Sequence, residues 1–169
     1  MENNCKTNLG LVEYCEAQLG LPYWYGTFGQ LSTKSLLDYK KKQYPRYYTG
    51  QDYLNQLGLK VHDCVGLIKG YFWCTSPKDS KPKYPTSKDE FPDVSANGLY
   101  EWCHVKSTDM KQMPDVPGIC VFMNGHVGVY IGKGEVIEAM NHRVGVVKTK
   151  LKNRQWTRWA YLNKLCYKH

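Results

Sequence analysis

The stretch PGICVFMNGHVGVYIGKGEVIEAM, residues 117–140, constrains the fold more than any other part of the chain. Its apolar residues keep period two, and its interruptions are turn chemistry. ICVFM is apolar throughout, as a strand buried on both faces is. Asn124-Gly125 makes a turn, HVGVYIG alternates, and Gly132-Lys133-Gly134 is a hairpin signal leading into EVIEA. Further strands near 143–150 and 156–167 extend an antiparallel sheet. The first half reads differently. NLGLVEYCEAQLG, residues 8–20, places Leu9, Val12, Cys15, Ala17 and Leu19 at roughly helical spacing, with Gly20 to end the run. Residues 32–43 read as a second helix capped by Ser32, residues 63–73 as a third capped by Asp63, and residues 95–104 as a short fourth. Residues 21–30 form an aromatic, glycine-punctuated loop. Residues 44–60 keep no single period. Residues 75–97 hold four of the eight prolines and read as a long surface loop rather than a linker. Helices first and an antiparallel sheet after them define an α+β fold, with residues 1–169 as one domain.

Composition narrows the classes of function. A net charge of +8 draws the chain to polyanions such as nucleic acid, acidic lipid or the anionic polymers of a bacterial wall. The bases are scattered, and the densest run, Lys40-Lys41-Lys42, reads as a solvated loop. No nucleic-acid motif is present, so no nucleic-acid partner is expected. No apolar run approaches the length of a membrane span, which argues against membrane insertion. The seven cysteines include no C-x-x-C pair. Cys103-His104 has no second pair to complete a four-ligand set, so neither a metal nor another cofactor is expected. Unpaired thiols suggest synthesis in a reducing compartment. The first ten residues lack a basic stretch followed by an apolar core, so no secretion signal is expected.

One cysteine stands apart. Cys64 follows Asp63 and opens the third helix, where free backbone N–H groups favour an adjacent anion and so lower a thiol's pKa. Most cysteines are small buried hydrophobes; a nucleophile also needs a base. His126 begins the strand HVGVYIG, a rigid mount at a sheet's rim. Glu138, in the next strand of the hairpin, falls near the right place to accept the imidazole N–H and fix its tautomer. Trp24, Trp156 and Trp159 read as core residues, and the other six cysteines as structural thiols.

These residues carry a resemblance. Asp63-Cys64-Val65-Gly66-Leu67-Ile68 resembles the D-C-S-G-L/F-V signature of the NlpC/P60 cysteine peptidases. MPDVPGICVFMNGHVGVYIGKGEVIEA is similar to that family's P-G-D-L-V-F-F…G-H-V-G-I-Y-I-G-N-G…I-H-A block, and GLPYWYGTFGQ to its G-x-P-Y-x-x-G-G loop. The blocks occur in the family's order. The resemblance implies a papain-like fold, N-terminal helices packed on a C-terminal antiparallel sheet. It also implies metal-free hydrolysis of amide bonds in peptidoglycan stem peptides, often next to D-glutamate. By position, Cys64 is then the nucleophile, His126 the base and Glu138 the third member, where the family most often has His. Tyr23 and Asp63 match substrate-binding positions, Asp63 the acid associated with the substrate's free amine. Val65 replaces a Ser, Thr27 a Gly, and Ile119-Cys120 stands where Asp-Leu is common. Residues 31–60 and 74–105 fall outside the pattern. The same Cys-His pair also serves transferases and deamidases, and a basic, aromatic-rich module that only binds the wall is the non-enzymatic alternative. Action at the wall without a leader implies release through a phage-type pore or as part of a larger hydrolase.

Overall fold

Helix starts in this chain are set by side-chain caps. The computed structural model describes residues 5–169. The Thr7 hydroxyl accepts the Gly10 N–H and opens α1 (Asn8–Ala17). β1 (Phe28–Leu31) follows the aromatic loop. Thr33, not Ser32, caps α2 (Lys34–Gln43) by accepting from the Leu36 N–H. The Ser32 hydroxyl is used elsewhere: it donates to the Gln56 carbonyl and accepts from the Leu59 N–H. A 3-10 turn at Asp52–Gln56 leads to β2 (Lys60–His62), which pairs antiparallel with β1. α3 (Cys64–Trp73) is capped by Asp63, and α4 (Ala96–Trp102) by Ser95.

The remaining strands are β3 (Lys106–Ser107), β4 (Cys120–Met123), β5 (His126–Gly132), β6 (Glu135–Asn141), β7 (Gly145–Lys150) and β8 (Arg158–Ala160). They form one antiparallel sheet in the order β3-β8-β4-β5-β6-β7. The α+β expectation holds. The small β1-β2 sheet was not legible, because both strands are short and break the alternation.

The sheet is buried on both faces. Phe122, Val127, Val129, Ile137 and Ala139 share a core with Leu11 of α1, Leu67 and Ile68 of α3 and Leu99 of α4. Ile119, Val121, Tyr130 and Val136 share a second core with Trp156 and Trp159. Alternation along β5 therefore sends Val127 and Val129 toward the helices and places His126 and Tyr130 on the other face. A third cluster, Trp24, Leu37, Tyr48, Tyr53 and Val61, joins the aromatic loop to α2 and the segment after it. Trp24 is fully buried there and its indole N–H donates to Gln56 Oε1.

Cys5 and Cys166 are joined by a disulfide, their Cα atoms 6.1 Å apart. This corrects the reading of both as free thiols. The pair is 161 residues apart in sequence, so nothing local signals it. Pairing of the chain ends brings them together: Thr7 bridges to Cys166, and the Cys166 N–H donates to the Lys6 carbonyl. A bridge that closes so long a loop constrains the unfolded chain strongly. Cys5→Ser is expected to cost roughly 2–5 kcal/mol, read as a lower denaturant midpoint under oxidising conditions. An unchanged midpoint would show that the bridge does not form.

Candidate active site

The Asp63-Cys64-Val65-Gly66 segment builds the site around backbone contacts. Asp63 accepts the Gly66 N–H on one carboxylate oxygen at 2.6 Å and the Gly26 N–H on the other at 2.9 Å. Its own N–H donates to the Thr27 carbonyl at 2.9 Å. One acid thus caps α3 and pins the aromatic loop to it. Burial raises the Asp63 pKa, against those two hydrogen bonds and the nearby Lys69 and Lys40 ammonium groups. The Thr27 hydroxyl donates to the Trp24 carbonyl, so it is spent inside the loop.

Cys64 opens α3 and is 8% exposed. Its thiol points to the Gly125 carbonyl at 4.0 Å, and the N–H groups of Val127, Val65 and Cys64 itself face the sulfur. Gly125 and Val127 flank His126, so the sulfur lies against the start of β5. Burial, and then the Asp63 carboxylate, push the thiol up to about 12, although those N–H groups favour the thiolate. The expected lowering by the helix terminus is outweighed: losing water costs an anion more than one helix end returns.

His126 Nε2 and Glu138 Oε2 are 2.5 Å apart on adjoining strands. Glu138 is fully buried and fully partnered. Arg154 donates to both of its oxygens, from Nε at 2.8 Å and Nη2 at 2.9 Å, and the Thr149 hydroxyl donates at 2.8 Å. Burial raises the Glu138 pKa, but the hydrogen bonds from His126, Arg154 and Thr149 outweigh it and hold the carboxyl below the usual range. Glu138 is therefore a fixed anion. Its contribution to stability is present above the ordinary glutamate pKa and is lost as pH falls through the depressed folded value. Asn141, the other polar residue near this position, is occupied with the N–H groups of Arg143 and Val144 in its own turn.

Trp156 lies parallel to the His126 ring at an interplanar angle of 12°. It is a core residue, as expected, and also a support for the imidazole. Gly128 leaves room for it: a Cβ there would meet the Trp156 ring at 3.0 Å. Asn97 of α4 accepts the Gly125 N–H and donates to Asn124, which fixes the turn before His126. The sequence did not reveal Arg154, Thr149 or Asn97, because each reaches the site from an element outside the recognisable blocks. His62 stands on β2, a strand that was not foreseen, but its Nε2 meets the Tyr14 hydroxyl and full burial pushes its pKa down to about 3.

The thiol opens into a cleft of about 870 Å³. Tyr23, Asp63, Cys64 and Val65 line it, with Lys40 and Tyr44 from α2 and the segment after it. Tyr23 is held through its backbone, by a bridge to His62 and by His142 Nδ1 at 3.4 Å from its carbonyl oxygen. The structure thus brings Tyr23, Asp63 and Cys64 together on one cleft, pairs His126 with Glu138, and sets the backbone on either side of His126 against the sulfur. Among the described residues, no cluster of His, Cys, Asp and Glu side chains is arranged to hold a metal ion, and no helix is long and apolar enough to cross a membrane.

Glu138→Gln is expected to lower turnover of a cleaved substrate about ten- to a hundredfold, by weakening control of the His126 tautomer and leaving Arg154 without its ion partner. Steady-state kinetics would show this mainly in kcat. An unchanged rate would remove Glu138 from the third position.

No family model matches this sequence, and no curated protein matches it. Solved structures do. NlpC2 from Trichomonas vaginalis aligns at 16% identity and a TM-score of 0.54, over 96% of this chain and 48% of that one. The peptidoglycan hydrolase RipB from Mycobacterium tuberculosis aligns at 14% identity and a TM-score of 0.52, over 90% of this chain and 63% of that one. The P60 domain of an antigen from M. avium subspecies paratuberculosis aligns at 19% identity and a TM-score of 0.51, over 91% of this chain and 93% of that one. The chain spans about half the length of the Trichomonas protein it matches. The architecture is that of an NlpC/P60 domain. At these identities the likeness is one of fold.

Proposed function

We propose that this chain is a cysteine peptidase that hydrolyses amide bonds in bacterial peptidoglycan stem peptides. The observation that carries the reading is the His126–Glu138 pair, 2.5 Å apart, on a strand whose first backbone groups meet the Cys64 thiol at a helix N-terminus that opens into a cleft. RipB, a solved structure of this fold, is named as a peptidoglycan hydrolase, which favours the wall as substrate.

His126 takes the Cys64 proton as substrate arrives, and the thiolate attacks the carbonyl carbon. The Cys64 N–H meets the developing oxyanion. The C–N bond breaks, and His126 gives its proton to the leaving amine. Water then attacks the thioester while His126 accepts its proton, releasing a carboxylic acid and restoring the thiol. Glu138, held anionic by Arg154 and Thr149, stabilises the imidazolium formed at each half-reaction. Burial favours the protonated Cys64 thiol, so the mechanism needs His126 to take its proton during attack. The Cys5–Cys166 bridge favours work in an oxidising compartment, outside the cell membrane, and the charge of +8 favours adsorption to an anionic wall.

Rapid acid quenching of the protein with a synthetic stem peptide tests the mechanism. Intact mass spectrometry is expected to show an acyl adduct on Cys64, absent from Cys64→Ala. Product masses separate hydrolysis from transfer to an added amine. An adduct on any other cysteine, or none, contradicts the reading.

A further inference from the structure

One wall of the cleft comes from α2 and the turn after it, within the segment that matches no recognisable block. Lys40 of α2 lines that cleft and is only 7% exposed, which overturns its reading as part of a solvated run. Its ammonium donates to Gln43 Oε1 at 3.2 Å and lies 5.5 and 5.4 Å from the ring centroids of Tyr39 and Tyr44. Among the described residues, no carboxylate lies within 4.0 Å of it. The other ammonium group on the cleft, Lys69, is neutralised by Asp93 at 2.6 Å.

The Asp63 and Asp93 carboxylates favour its charge only from beyond ion-pair distance, and a buried ammonium without a direct anionic partner is costly. Of its three N–H donors, one is used by Gln43. The place is also close to the reaction. A Cβ on Gly26 would lie 3.4 Å from Lys40 Nζ, and the Gly26 N–H donates to Asp63, the residue before the nucleophile.

We propose that Lys40 is a specificity-determining residue whose ammonium binds a substrate carboxylate. The preferred substrate is then a peptide that carries a free carboxylate, not a carboxamide, on the residue beside the cleaved amide. This rests on the peptidase reading above. Tyr39 and Tyr44 hold the ammonium in place by their ring faces, and its partly desolvated setting strengthens the charge-assisted bond.

The test uses two synthetic stem-peptide fragments, identical except for a free carboxylate or a carboxamide on the glutamate residue. Calorimetry on Cys64→Ala is expected to show the carboxylate form binding at least about tenfold tighter. With Lys40→Met added, the two forms bind within about twofold of each other, and with Lys40→Arg added the preference returns. Thermal unfolding checks that each variant is folded. Equal binding of the two peptides by Cys64→Ala, no binding of either, or a preference that survives Lys40→Met overturns the proposal. Turnover of the same peptides by the wild type is followed in parallel. Cleavage without a Lys40-dependent preference overturns the Lys40 site alone. A Lys40-dependent preference without cleavage upholds the site and contradicts the peptidase.

Discussion

Replacing Cys64 with alanine is expected to abolish amide hydrolysis, by about 10⁴-fold or more, while the protein stays folded. The loss is large because a nucleophile and its base act as a unit, and removing either leaves only binding and oxyanion stabilisation. The sulfur meets the Gly125 carbonyl at 4.0 Å and backbone N–H groups, contacts too weak to carry the fold. Truncation should therefore cost at most about 1–2 kcal/mol of stability, the range for deleting one small buried group. Full activity in Cys64→Ala would end the mechanism. A large fall in the melting temperature would make Cys64 a packing residue first.

Gly66→Ala is expected to be the most damaging single methyl in the molecule. A Cβ there would lie 1.8 Å from the Thr27 carbonyl oxygen and 2.7 Å from Asp63 Oδ1. The first atom is backbone and cannot rotate away. It also accepts the Asp63 N–H, so moving it undoes the junction between the aromatic loop and α3. The expected cost is roughly 3 kcal/mol or more, the upper range for overpacking. For a chain of this length that lowers the melting temperature by roughly 6–12 °C. Gly50→Ala is the control, because its nearest contact would be an ordinary 3.6 Å. Gly66→Ala melting with the wild type would contradict the docking described here. The effect also explains why glycine stands two residues after Cys64: the loop that carries Tyr23 passes directly over it.

Much of this site could be read from the chain, because it sits where local pattern is strong. Asp63 caps the helix that Cys64 opens, and His126 begins a strand ending in a Gly-Lys-Gly turn. The second half of the site was hidden. Arg154 and Thr149 bind Glu138 from positions 16 and 11 residues later, across the sheet. Period-two alternation says which face a residue takes, not which neighbour waits there. Trp156 was legible as core but not as a platform for His126, because burial and stacking look alike in a sequence. Lys40 was misread because a run of three lysines resembles a solvated stretch, and only the helix phase buries the first of them. The thiol's pKa moved against expectation because helix-end attraction is local and modest, whereas burial acts on the whole charge. The disulfide was unreadable for a simpler reason: its partners meet only when the two chain ends pair.

The measurement that bears most directly on the central claim is digestion of purified peptidoglycan by the wild type and by Cys64→Ala, with mass spectrometry and amine labelling of the soluble fragments. New stem-peptide amino and carboxyl termini are expected from the wild type alone, with fragment masses that name the bond. Release of the same fragments by Cys64→Ala, or no release by either protein, would contradict it.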